Sequence, residues 1–194
     1  MSSRARALGW ALVAALLAVA VLAGRGVPAH ARARSLPLRL LGPLSSAAAS
    51  VQWVRVRSAM RAGRTDLALA RSHVALALDP GATSGWLLIA SHLAFDRASA
   101  EREPRPERRL AWTRAALQLA ELGERSARDP ARLALWQGLV LSKLAQEEAP
   151  PPWEGGPHAL WLEAAGHFER AAALGAPEGA ILADRARERS GEAR

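Results

Sequence analysis

Asp-Pro followed by five residues and a tryptophan occurs twice in this chain, as "LDPGATSGW" ending at Trp86 and "RDPARLALW" ending at Trp136, fifty residues apart. Proline lacks the backbone N–H that a helix interior needs, so Pro80 and Pro130 each end one helix and leave a bulky apolar residue early in the next. Between these stops the composition allows little except helix. Alanine, leucine and arginine dominate, tyrosine is absent, phenylalanine occurs twice, and half of the residues are hydrophobic. Such a chain is short of β-branched and aromatic residues, so it is read as all-α.

The segments between the breaks carry helical periodicity. After Pro43, "SSAAASVQWVRVRSAM" begins a helix with Ser45 or Ser46 as its cap, and Gly63 ends it. "TDLALARSHVALALDP" follows, with Leu67, Ala70, Val74 and Leu78 on one face and a stop at Pro80. "SGWLLIASHLAFDRA" puts Trp86, Ile89, Ala90 and Leu93 on a packing face. The insertion "SAEREPRPERR" separates it from the helix "LAWTRAALQLAELGERSARDP". A third pair, "ARLALWQGLVLSKLA" and "ALWLEAAGHFERAAALGAP", is interrupted by "EEAPPPWEGGP", and Gly175 with Pro177 ends it.

"RAGRTDLALARSHVALALDPGATSGW" resembles the turn, second helix and next-repeat start of a tetratricopeptide repeat, a helical hairpin of about 34 residues. Gly63, Ala68, Ala75 and Pro80 fall at its small-residue and proline positions, and Ala164, Phe168 and Ala171 recover the small–aromatic–small spacing. Gln118 and Arg125 depart from it, standing where small residues belong. The resemblance implies about three hairpins stacked as a short solenoid over 45–190, with units at 45–82, 83–130 and 131–177. A helix over 178–190 caps the stack and 191–194 form a tail. It also implies a groove lined by first helices that accepts a protein or peptide, with Trp53, Arg57, Arg61, Ser91, Phe95, Gln137 and Leu141 at the groove positions. Arg57 and Arg61, one turn apart, suit a carboxylate.

Residues 7–24 contain no charge and follow Arg4 and Arg6, which is near the minimum length for a membrane-spanning helix. The region 1–26 is read as a transmembrane anchor or a signal peptide. Ala29-His30-Ala31 fits the small-x-small cleavage pattern, and 27–44 forms a Pro/Arg-rich tether. The repeat domain is expected outside the cytoplasm, held by one N-terminal helix or secreted after cleavage. Net charge is +8, yet six arginines lie in the first 39 residues, where no acid occurs. The remainder is close to balanced, with no basic stripe interleaved with aromatics, so nucleic acid is not expected as a partner. Cysteine is absent, which excludes disulfides and thiol chemistry.

Catalytic patterns are not found. His92 and Asp96 share a helix face and form the one pair suited to a metal-dependent enzyme, but no third-ligand motif follows. Glu101, Glu103 and Glu107 alternate with Arg102, Arg105, Arg108 and Arg109 in what is read as a solvated loop. His73 and His167 belong to second helices, while His30 and His158 belong to loops. Trp153, in the proline-rich segment, is expected to pack back on its own hairpin, with docking on a partner as the alternative. The expected function is therefore a non-catalytic interaction or scaffold module in a bacterial envelope, without cofactor, metal or small-molecule substrate. The alternatives are a structural subunit of one envelope complex, and a metal-dependent enzyme using His92 and Asp96.

Overall fold

The computed structural model describes residues 42–147 and 150–191. The anchor or signal expected at 1–26, most of the 27–44 tether and the last three residues of the tail lie outside the described residues. Among the described residues seven α-helices follow one another: α1 (Gly42–Arg61), α2 (Thr65–Leu78), α3 (Thr83–Ser91), α4 (Pro106–Glu124), α5 (Pro130–Leu144), α6 (Gly156–Ala173) and α7 (Glu178–Ser190). A π-helical turn, His92–Arg97, continues α3. Among the described residues there is no strand, and the fold is all-α. No helix among them is long and apolar enough to cross a membrane.

Consecutive helices pair along the chain. α1 packs on α2, α3 with its π-turn on α4, and α5 on α6, while α7 lies against α6. α3 also touches both α2 and α5, so the two helices bearing the repeated tryptophans are neighbours. Gly63, at φ +69°, makes the tight turn between α1 and α2, in a backbone region that other residues rarely adopt.

Helix starts follow local chemistry. Pro106 and Pro130 open α4 and α5, where a missing N–H costs nothing, and the Asp129 carboxylate accepts the Arg132 backbone N–H at 3.1 Å. Two starts differ from the sequence reading. In α1 (Gly42–Arg61) Ser45 and Ser46 lie inside the helix rather than at its cap. α4 begins at Pro106, so Glu107, Arg108 and Arg109 are helical rather than part of a loop.

The face that α2 buries also differs from expectation. Ala70 is exposed, and Leu67, Val74 and Leu78 are only partly covered, whereas Ala68, Ser72 and Ala75 are buried. Close helix approach requires small side chains at the contact, and the longer apolar residues lie beside it. Equivalent buried triplets occur in α4, Ala116–Ala120–Gly123, and in α6, Ala164–Phe168–Ala171. Their first members are spaced 48 residues apart. Gln118 and Arg125 are exposed, because the contact positions of α4 lie two residues earlier.

Three buried clusters run through the described helices. One surrounds Val56, Ala59, Ile89 and Leu93, a second surrounds Trp86, Ala90 and Leu133, and the third surrounds Leu141, Leu160 and Phe168. Trp136 is half-buried and packs against all three. Three glycines in these contacts leave no room for a methyl group. A Cβ on Gly85 would lie 2.3 Å from the Trp53 ring, one on Gly123 2.8 Å from Trp86, and one on Gly138 2.5 Å from Phe168.

Candidate interaction surfaces

The residues expected to line a groove divide into two sets. Arg57 and Arg61 are exposed on α1 and make no ion pair among the described residues. Ser91 is partly exposed. Phe95 is 41% exposed in the π-turn; it meets Trp136 edge to face at 6.3 Å, and the Lys143 ammonium lies 4.5 Å from its ring centre. The π-turn and the C-terminal half of α5 therefore form one continuous surface.

The other three face inward. Leu141 is fully buried, and Gln137 is 1% exposed and donates to the Glu124 carboxylate, so both serve the core rather than a partner. On α5 the exposed positions are Arg132, Leu139 and Lys143. The helix turns Leu141 toward α6 and Gln137 toward Glu124 of α4. Trp53 is half-buried against Gly85 and joins α1 to α3.

Charge is sorted between the two kinds of helix. The first helices of the pairs, α1, α3 with its π-turn, and α5, carry Arg55, Arg57, Arg61, Arg97, Arg132 and Lys143 against the single acid Asp96. The second helices α2, α4 and α6 carry six acids and five bases. Asp96 is moreover held by its own helix, its Oδ2 2.8 Å from His92 Nδ1. His92 is 5% exposed and its Nε2 has no hydrogen-bond partner. The pair comes together as its spacing implied, but among the described residues no group of three His, Cys, Asp or Glu is placed to hold a metal.

The 98–109 insertion is less open than its charge alternation suggests. Glu103 and Arg109 are both 8% exposed. Glu103 accepts from the Arg105 backbone N–H and from Arg105 Nε, each at 3.3 Å, and Arg109 pairs with Glu147 at 3.7 Å. Neutralised in this way, the charges fasten the insertion down onto the ends of α4 and α5.

A second surface, not anticipated from the sequence, lies between the second helices. A cavity of about 470 Å³ opens between α4 and α6, floored by Leu117 and Gln137 and walled by Arg114, Glu121, Glu163 and His167. Trp153 and Glu154, from the proline-rich segment before α6, form its rim. Trp153 does pack back on its own pair, where it is half-buried. It donates a hydrogen bond to the Glu163 carboxylate, and the Arg114 guanidinium stands 5.4 Å from its ring centre.

Burial dominates the electrostatics of this region. It raises the Glu163 carboxyl above its ordinary pKa, opposed by the Trp153 hydrogen bond and the Arg114 charge. It raises Glu124 in the same way, opposed by Gln137 and Arg170. It lowers the His167 imidazole, with Arg170 acting in the same direction and Glu121 against it. The Nδ1 atom of His167 is buried without a hydrogen-bond partner. His73 is exposed on α2. His158, expected in a loop, is in the first turn of α6 and donates to the Ser190 carbonyl at 2.6 Å. No family model, no curated protein and no solved structure matches this chain.

Proposed function

We propose that this chain is a tetratricopeptide-like interaction module that grips an acidic segment of a partner protein along its first helices. Its hydrophobic N-terminal segment tethers the module to a bacterial membrane or directs its export. The observation that carries this reading is the charge sorting: six basic residues and one internally paired acid on α1, α3 with its π-turn, and α5. Exposed apolar side chains lie among those cations, with Val54 on α1, Phe95 on the π-turn and Leu139 on α5. A surface of this kind favours an extended or helical segment with carboxylates spaced between apolar anchors. Arg57 and Arg61 each supply a planar fork of donors for a carboxylate. The paired order of the helices, the 48-residue spacing of the buried triplets and the covering helix α7 all support the repeat reading.

The test is site-specific photo-crosslinking of the full chain in the membranes of its own host, with the photoreactive residue at Arg61, Ser91 or Leu139 and, as controls, at the exposed positions Ala70 or His73 on α2. The reading expects one nuclease-resistant protein adduct from the first-helix positions only. Its crosslinked peptide is rich in Asp or Glu, and the adduct is lost in the Arg57→Glu/Arg61→Glu variant. Equal adducts from both sets of positions, or none from the first helices, would sink it.

A further inference from the structure

The cavity between α4 and α6 has the opposite character to the first-helix surface. Glu121, Glu154 and Glu163 line it against one cation, Arg114. Glu121 is engaged by Arg125 at 3.3 Å, but both side chains are more than half exposed, and such surface pairs hold weakly. Burial holds the His167 imidazole below its ordinary pKa, which disfavours a positive charge in this wall. A cation entering here meets carboxylates and an aromatic face.

We infer that this cavity is a second docking site, one that receives an arginine side chain presented by a partner protein, with its guanidinium between Glu121 and Glu163 and against the Trp153 ring. Arg114 already shows that this wall accepts a guanidinium: it stands over Trp153 at 5.4 Å and acts on Glu163. Its hold is the ordinary one of an exposed cation–π contact, so an incoming arginine displaces it or lies beside it at small cost. Guanidinium is preferred to ammonium, because a flat fork both stacks on indole and pairs side-on with a carboxylate, whereas the lysine head is a compact, strongly hydrated point charge. The volume of about 470 Å³ is ample for one extended side chain. A metal ion is a poor occupant, since among the described residues no three ligating groups converge. The site stands apart from the acidic-segment proposal, because its charged walls come from α4, α6 and the segment before α6 and answer to the opposite charge.

The indole N–H resonance of Trp153 reports directly on this site. It is assigned by Trp153→Phe in the full chain, labelled at tryptophan and held in detergent micelles, and is followed during titration with blocked tripeptides Gly-Arg-Gly, Gly-Lys-Gly and Gly-Glu-Gly and with free arginine. The arginine tripeptide is expected to shift it saturably. The lysine peptide should bind about threefold or more weakly, and the glutamate peptide should not bind. Glu121→Gln/Glu163→Gln should weaken the arginine peptide about tenfold, the scale of a lost charge-assisted hydrogen bond, with an unchanged thermal midpoint showing that the variant is folded. Arg57→Glu/Arg61→Glu should leave the titration unchanged, so failure of the first-helix proposal does not touch this one. No saturable shift, an equal response to the glutamate peptide, or full affinity in the double glutamine variant each overturns the inference. Tighter binding of free arginine than of the tripeptide also overturns it, by assigning the cavity to a small molecule instead of a partner chain.

Discussion

Arg128 Nη2 lies 2.8 Å from Asp79 Oδ1, so the turn before the second Asp-Pro reaches back to the first. Two further bonds run beside it: the Arg128 backbone N–H donates to the Gly81 carbonyl at 3.1 Å, and the Asp129 N–H donates to Thr83 Oγ1 at 3.1 Å. The repeated Asp-Pro turns thus hold each other in register. The tryptophans that follow them enter the core, Trp86 donating to the Pro80 carbonyl at 2.9 Å. One member of the central pair is open to water, with Arg128 71% and Asp79 18% exposed at the side chain. A double-mutant cycle of Arg128→Ala and Asp79→Asn, read by denaturant unfolding, should therefore give a coupling of about 0.2–1 kcal/mol that shrinks with added salt. A coupling several times larger would mean that the turns carry far more of the stability than their exposure allows.

Gly138 and Gly166 are both helical glycines, and alanine should act on them with opposite sign. At Gly138 the new Cβ would stand 2.5 Å from Phe168, a fully packed ring, and overpacking of this kind costs about 1–3 kcal/mol. At Gly166 nothing lies within 4 Å, so alanine only improves helix propensity, by about 0.5–1 kcal/mol. Thermal melts of the two single variants check the contrast.

Leu139 and Leu141 are two residues apart on α5, one 48% exposed and the other fully buried. Leu141→Ala should cost about 2–5 kcal/mol of stability, the range for emptying a core leucine site. Leu139→Ala should stay within about 0.5 kcal/mol of the parent, as surface changes do, while weakening the first-helix crosslink. Chemical denaturation of both variants, beside the crosslinking yield, separates packing from binding.

The response to pH has two components of opposite sign. Glu124 has a raised carboxyl pKa in the fold, so between its unfolded and folded values the native state binds the extra proton. Its contribution to stability is complete below the unfolded value and is lost as pH rises through the folded one. His167 is lowered, so the unfolded state binds more protons as pH falls. Stability then drops from about 6.5 downward until the lowered folded value is passed. Glu163 is raised in the same direction, so Glu124→Gln should reduce the first slope, Glu124→Gln/Glu163→Gln should remove it, and His167→Gln should remove the second, as measured by unfolding free energy from pH 4 to 8. Unchanged slopes in either variant would show that the group is not the source.

Much of the helical grammar was legible in the sequence, because its signals are local. Gly63, Pro80, Pro130 and Gly175 act on their own backbone, and the packing face Trp86, Ile89, Ala90 and Leu93 buries as its spacing implied. The final helix was equally readable, since Glu178–Ser190 lies between Pro177 and Gly191. Choosing among faces of similar hydrophobicity was harder. Alanine-rich helices offer several apolar stripes at once, and the spacing of α2 pointed to Leu67, Ala70, Val74 and Leu78 although Ala68, Ser72 and Ala75 make the contact.

The sequence by itself determined that this chain is helical and where most of its helices stop, for those outcomes depend on each residue's own backbone preferences and on its near neighbours. Only the tertiary structure decided which small residues touch and which expected groove positions are in the core. Leu141 is buried because α6 lies on its side of α5, and Gln137 because α4 brings Glu124 to it, facts that no spacing within α5 records. The cavity between α4 and α6 has the same origin, since Arg114, Trp153, Glu163 and His167 are separated by up to 53 residues and meet only when two helices settle over a third. Helix formation is a local equilibrium, whereas a surface is a consequence of packing.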